Sequence, residues 1–236
     1  MAKLNIINWS LKNYSEALEE QRRLRQLRTE NKIGDTLILT QHNPVMTIGR
    51  SGSEENIKVN SAFLAEKGIE VVEVERGGDI TYHGPGQLIA YPIFHLPPEV
   101  RDVKKFIRAI EQVVVKTCRD FGAPAVTIEG LTGVWISEKD SEQQHFEEWT
   151  GEKKISSLGL AFKRWTSYHG VSLNINLDLT PFSYIHLCGL KGKEATSLSK
   201  VLGKEVNIKE VENVFTKHIT GMWKEFLNTQ NELLLK

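Results

Sequence analysis

Arg76-Gly77-Gly78-Asp79-Ile80-Thr81-Tyr82-His83-Gly84-Pro85-Gly86-Gln87 is the stretch that most restricts how this chain can fold. Four glycines and one proline in twelve positions exclude the interior of a helix, because glycine loses most backbone entropy there and proline lacks the amide. The pair Gly77-Gly78 lets the backbone pass close to a ligand, and Gly84-Pro85-Gly86 makes a tight turn that presents His83. No Gly-Lys-Ser/Thr follows, so this is not a Walker loop, and the Gly-x-Gly-x-x-Gly fingerprint is missing. The pattern alone is equally compatible with a ligand-binding loop and with a long structural turn whose histidine is satisfied by backbone groups.

The flanks carry ordinary folding signals. Tyr14, Ala17, Leu18, Gln21, Leu24 and Leu27 recur at helical spacing, as do Val103, Phe106, Ile107, Ile110, Val113, Val114 and Thr117. Near the end, Val211, Val214, Phe215, Ile219, Met222, Trp223 and Phe226 predict a last helix, with Asn207 and Glu210 as its capping box. Strands are expected over Thr36–Thr40, closed by the His42-Asn43-Pro44 turn, and over Glu70–Glu75, Gly133–Ile136 and Ile155–Phe162. Val171, Leu173, Ile175 and Leu177 alternate with polar residues and predict one more strand, from 171 to 177. Helices and strands do not alternate strictly, which predicts an α+β fold with a mixed, mainly antiparallel sheet flanked by helices. The expected division is a main catalytic domain over 1–178 and a smaller C-terminal part over 179–236 packed on it. The acidic stretch Ser137–Lys153 has no clear period and is expected to be a surface insertion between strands.

The 30 basic and 30 acidic residues cancel, so net charge lends no support to nucleic-acid binding. No apolar run is long enough to span a bilayer, and the start lacks a signal-peptide core; a cytoplasmic protein without membrane or nucleic-acid partners is expected. Two cysteines are too few for a disulfide scaffold or a cysteine-rich zinc site. The seven histidines are scattered without i, i+4 pairs, so no metal is expected.

The two cysteines sit in different surroundings. Cys118 follows Val114 by one helical turn and is expected in the core. Cys188 lies in Pro181-Phe182-Ser183-Tyr184-Ile185-His186-Leu187-Cys188-Gly189, irregular backbone where a thiol can approach a substrate. A thiol with its ordinary pKa near about 8.5 is only slightly ionised at neutral pH, so a nucleophilic role requires a base or a cation nearby. His186 and Lys154 are the candidates, and the local pattern decides neither the role nor the partner.

Four ordered segments then resemble one family. The glycine-rich run with Tyr91-Pro92-Ile93 after it, His42-Asn43-Pro44-Val45-Met46-Thr47-Ile48-Gly49-Arg50, Lys154-Ile155-Ser156-Ser157-Leu158-Gly159, and Tyr168-His169-Gly170-Val171-Ser172-Leu173-Asn174-Ile175-Asn176 with Pro181-Phe182 and Cys188-Gly189 are similar to the octanoyltransferases of lipoate biosynthesis. The resemblance spans roughly residues 5 to 215. It implies the biotin/lipoate protein ligase fold. It also implies transfer of octanoate from octanoyl-acyl carrier protein to lysines of lipoyl domains, those of 2-oxoacid dehydrogenases and of the glycine cleavage H protein, with no cofactor.

Carried over position by position, Cys188 becomes the thioester nucleophile and Lys154 its activating partner. Arg76, Gly77, Gly78, Asp79, Ile80, Thr81, Tyr82 and His83, with Ser157, Leu158, Gly159, Gly170, Val171 and Ser172, become the substrate-binding residues. The residue before the cysteine, usually proline in that family, is Leu187 here, and the insertion before Lys154 is longer than usual. The competing expectations are an ATP-dependent lipoate or biotin ligase of the same fold, an amidotransferase between lipoyl proteins, and a non-catalytic lipid-binding module. Lys104, Lys105 and Arg108 are a candidate docking patch for acidic partners, set against an ordinary solvated helix face.

Overall fold

A computed structural model describes residues 4–137, 143–144, 152–186 and 193–228. Strand β1 (Asn5–Lys12) leads to Asn13, whose Oδ1 accepts the amides of Ser15 at 2.9 Å and Glu16 at 3.4 Å and so starts helix α1 (Tyr14–Thr29). Strands β2 (Thr36–His42) and β3 (Val45–Ile48) follow, then the short helix α2 (Ser61–Glu66) and strands β4 (Glu70–Glu73), β5 (Ile80–His83) and β6 (Gln87–Ile93). Helix α3 (Val103–Asp120) precedes β7 (Ala125–Ile128), β8 (Val134–Ile136), β9 (Gln143–Gln144), β10 (Lys153–Lys163) and β11 (Thr166–Asn174). Helices α4 (Leu198–Leu202) and α5 (Ile208–Asn228) close the described chain.

Among the described residues, eight strands form one sheet in the order β1-β2-β6-β11-β10-β8-β7-β9, and three form a second in the order β4-β3-β5. The pairs β1–β2, β7–β9 and β3–β4 are parallel and the others antiparallel, the mixed and mainly antiparallel arrangement expected of the sequence. Both faces of the large sheet are covered. Leu37 and Leu39 of β2 and Leu88 and Ala90 of β6 join Phe106, Ile110, Phe215 and Trp223 of α3 and α5. The intervening Ile38, Ile89 and Tyr91 pack with Leu24 of α1 on the other side. That period of two explains why these strands read as continuous apolar runs. Each buried large side chain on α3 contributes about 1.5–3 kcal/mol, well above the few tenths at stake in helix propensity, so tertiary packing holds this helix. No helix among the described residues is long and apolar enough to cross a membrane.

The strand expected over 171–177 ends instead at Asn174. The amides of Ile175 and Asn176 both donate to Gly86 O, at 3.1 and 2.9 Å. Two successive amides converging on one carbonyl break the pleat, while Ile175 and Leu177 stay buried and keep the sequence looking alternate. Asn207 does cap α5, accepting the Lys209 amide at 2.9 Å. Most of the 137–153 insertion lies outside the described residues; Gln143–Gln144 pairs in parallel with β7, and Lys153 already belongs to β10.

Candidate active site

A cavity of about 540 Å³ opens where β5, β10 and β11 come together. Its walls combine Arg76, Gly78, Asp79, Thr81 and His83 from the glycine-rich run with Lys154, Ser157, Leu158 and Gly159 from β10, and Gly170, Val171 and Ser172 from β11. Three separated sequence motifs thus meet in one place. Ile80 also lines it, whereas Gly77 and Tyr82 do not. The Tyr82 ring turns away to Phe182, 5.8 Å between centroids, in a second cluster with Met46. Gly77 serves the backbone instead: its amide donates to Leu160 O at 2.9 Å. A Cβ on Gly159 would lie 2.6 Å from Gly77 O, so only glycine lets β10 approach the loop this closely.

Lys154 is 3% exposed, and its Nζ lies 5.2 Å from the centre of the Trp135 ring, in reach of a cation–π contact. Its strand carries a bulge: Lys154 pairs with Trp135 and Ser156 with Val134, so Ile155 is the extra residue on β10. Such an insertion re-aims neighbouring side chains, here bringing Lys154 to the same cavity as Ser157. Gly133, at φ 116°, completes this wall; a Cβ there would stand 2.7 Å from Lys154 Cε and 3.2 Å from Nζ. The Gly133 amide donates at 2.7 Å to Oε1 of Glu111, a carboxylate of α3 with 0% exposure, and Arg108 Nη1 donates to its Oε2 at 2.7 Å.

Beside His83 a chain of neutral groups is joined by hydrogen bonds, with the buried Arg76 guanidinium close by. Asn174 Nδ2 donates to Thr196 O at 2.8 Å, so its Oδ1 accepts, and Gln87 Nε2 donates to it at 2.8 Å. Gln87 Oε1 is then the acceptor that faces His83 Nδ1 at 2.8 Å, which assigns the proton to Nδ1. His42 Nδ1 lies 2.8 Å from Lys12 O and must donate to it, leaving Nε2 to accept from Tyr91 O–H at 2.6 Å. Both rings are neutral. Burial, with His42 alongside, pushes His83 down to about 3, and burial pushes His42 down to about 4. Tyr14 stacks on His83 at 6.0 Å with ring planes 8° apart. His169, held in the left-handed region at φ 56°, is lowered by burial, with Glu75 3.8 Å away opposing that shift.

Cys188 lies outside the described residues, as do Leu187 and Gly189. The residues on either side of that stretch are described. The His186 amide donates to Asn56 O at 2.9 Å, and Asn56 lines the cavity while its Nδ2 holds both Asp79 oxygens at 2.9 Å. On the other side, Lys154 N donates to Glu194 O and Thr196 N to Lys154 O, both at 2.8 Å. Cys118 is fully buried beneath α3, where burial pushes its thiol up to about 12, an inert core group as the helical spacing predicts. Lys104, Lys105 and Arg108 are exposed on α3.

Sequence reasoning did not single out Tyr14, Asn56, Tyr91, Gly130, Thr132 or Trp135 as cavity residues. Tyr14 looked like the first apolar position of a helix, and Trp135 like the centre of a strand. Only the strand register places them around Lys154 and His83.

The catalytic-domain model described as "Lipoyl protein ligase A/B catalytic domain" matches residues 13–220. An octanoyltransferase of Caldicellulosiruptor bescii is 42% identical over 217 residues, 91% of this chain and 89% of that protein. Among solved structures, a bi-partite lipoate protein ligase from Thermoplasma acidophilum superimposes with a TM-score of 0.69 at 16% identity, over 95% of this chain and 85% of that one. The biotin protein ligase of Aquifex aeolicus gives 0.52 at 16%, over 96% and 71%. These two bear on the fold, which is the one expected of the sequence. The motif order, the 13–220 match and the identity to the bacterial relative together place the chain in the lipoyl protein ligase A/B catalytic domain family.

Proposed function

We propose that this protein is an octanoyltransferase that takes an octanoyl group from acyl carrier protein onto Cys188 and passes it to a lysine of a lipoyl domain. The single observation that carries this is the buried Lys154 on the wall of a cavity to which both flanks of the Cys188 stretch are tied, His186 through Asn56 and Glu194–Thr196 through Lys154 itself. Cys188 follows His186 by two residues in the sequence. The name of the 42% identical relative supports the same chemistry.

Lys154 favours the Cys188 thiolate by its charge. The thiolate attacks the carbonyl carbon of the donor thioester, the C–S bond to the carrier breaks, and the carrier thiolate leaves, taking from solvent the proton that the Cys188 thiol had released there. The neutral amine of the acceptor lysine then attacks the acyl-Cys188 carbonyl, an amide forms, and the Cys188 thiolate is regenerated as the amine gives up its proton. Thioester to amide is downhill, so no nucleotide is consumed. The volume is typical of a small-molecule site, and Ile80, Ile89, Leu158 and Val171 give the acyl chain an apolar lining. Burying seven carbons of the chain contributes about 5 kcal/mol, at roughly 0.8 each.

The test is the intact mass of the protein after incubation with octanoyl-acyl carrier protein in the absence of ATP. An octanoyl adduct on wild-type protein that is chased onto a lipoyl domain, and that is missing in Cys188→Ser, is the expected result. Transfer that requires ATP and survives Cys188→Ser would instead make this a ligase.

A further inference from the structure

Glu111 is a buried ionisable group that the transfer chemistry above does not use. It sits on α3 among apolar positions, with 0% exposure, where a carboxylate is costly unless something requires it. One oxygen accepts the Gly133 amide at 2.7 Å and the other accepts Arg108 Nη1 at 2.7 Å. Gly133 is in turn the residue against which the Lys154 side chain lies, with Cε only 2.7 Å from where a Cβ would stand. Gly133 thus touches both groups, the Glu111 carboxylate through its amide and the Lys154 side chain through its Cα. Burial raises the Glu111 carboxyl, and the Gly133 amide, Arg108 and the Lys154 charge pull it back. The other ionisable groups on the cavity walls are Arg76, held by Thr47, Asp79, held by Asn56, His83, held by Gln87, Tyr91, held by His42, Tyr14, stacked on His83, and His169, 3.8 Å from Glu75.

We propose that Glu111 is a positioning residue for acyl transfer: it fixes the Gly133 wall through that amide, and its negative charge, partly balanced by Arg108, limits how strongly the Lys154 ammonium promotes the Cys188 thiolate. Arg108 belongs to the same device. Its other hydrogen bond, to Leu131 O at 3.2 Å, braces the loop that carries Gly133. This inference rests on the role of Cys188 and Lys154 proposed above.

The test reads the pH dependence of Cys188 alkylation by iodoacetamide, followed by peptide mass spectrometry, beside the octanoyl-transfer assay. Cys118 is buried and serves as the unreactive reference. Glu111→Gln keeps an oxygen for the Gly133 amide and removes the charge. Removing this negative charge leaves the Lys154 ammonium less compensated, so the thiolate is favoured and the alkylation midpoint moves to lower pH by about half to one unit. Arg108→Gln, a half-exposed position, removes the balancing positive charge and moves the midpoint the other way by a smaller amount, and it decides the matter should Glu111→Gln fail to fold. Glu111→Asp keeps the charge but shortens its reach to the Gly133 amide, so its midpoint stays closer to the wild-type value than that of Glu111→Gln. Midpoints that coincide in wild type, Glu111→Gln and Arg108→Gln overturn the proposal. A wild-type protein that forms no octanoyl adduct overturns the acyl-transfer function instead, while the alkylation profile still reports on Glu111.

Discussion

The two sides of the cavity bury polar groups in opposite ways. Around His83 and His42 every buried ring is neutral, its protons assigned by a chain of hydrogen bonds that ends on the carbonyls of Lys12 and Thr196. Around Lys154 the wall carries charge: an ammonium over Trp135, a carboxylate behind Gly133 and a guanidinium behind the carboxylate. The two meet at the backbone, since Thr196, which accepts from Asn174, donates to Lys154 O. A neutral hydrogen-bonded wall gives shape that does not change near neutral pH. A charged wall is worth its desolvation cost only where a charge acts on a reacting group. On the transfer chemistry proposed above, this contrast puts the reacting group on the Lys154 side and leaves the histidine side to shape the site.

The largest effect should come from deleting the charge on the reactive side. Lys154→Met fills the same space with an apolar chain, so the fold should persist. Octanoyl transfer should fall by at least ~100-fold, the usual worth of a positioned proton-transfer or charge-stabilising group. Steady-state transfer to a lipoyl domain, with circular dichroism as the control for folding, measures it. Turnover within a few-fold of wild type would break the comparison by leaving the charged wall without a chemical task.

The next effect separates the two sides by pH. His42 and His83 have folded values of about 4 and about 3, below the ordinary value near 6.5 for an unfolded chain. The unfolded chain therefore binds more protons, and the stability these groups permit is full above about 6.5 and is lost as pH falls towards the folded values. Between pH 7.5 and 5 each should cost on the order of 2 kcal/mol of unfolding free energy. Glu111, whose carboxyl is raised, works with the opposite sign: its burial penalty is relieved as pH falls. Urea unfolding at the two pH values should thus show acid destabilisation in wild type, reduced by about half in His42→Gln. Equal slopes for the two proteins would mean that His42 does not titrate as a buried neutral ring.

What could be read in advance follows the same division. The α3 and α5 helices were legible because their apolar positions repeat with the helical period, and Cys118 could be placed in the core from that period alone. Lys154 and most of the cavity lining were legible through motif resemblance. The hydrogen-bonded wall was legible only as motif segments: Tyr14 looks like an ordinary helix residue, and nothing local in Gln87 or Tyr91 reveals that they meet His83 and His42. Glu111 was hidden for a related reason: Arg108 and Glu111 three apart on a helix look like a solvated ion pair, and nothing local reveals that one of them is buried against Gly133. Strand β1 was missed because Asn5–Lys12 is an edge with exposed Ile6 and Leu11 and no clean alternation. Strands β5 and β6 were missed because both border the glycine-rich turn, which masks the signal of the residues on either side.

The smallest expected effect tests whether reactivity depends on place rather than on residue type. Cys118 lies on the face of α3 that packs in the main core, where burial pushes its thiol up to about 12. Cys118→Ala removes one buried sulfur and leaves a void smaller than a methylene pair, so the loss of stability should be about 1 kcal/mol, on the scale of a single buried group. Because α3 also carries Glu111 and Arg108, a shift of the helix would be transmitted to Gly133 and Lys154. An alanine that leaves kcat and the octanoyl-adduct yield at wild-type values shows that the helix holds its register through its large side chains, Phe106 and Ile110 above all. A fall in adduct yield without loss of folded protein would show instead that the charged wall depends on the packing beneath it, and that the division between core and site is drawn too sharply along α3.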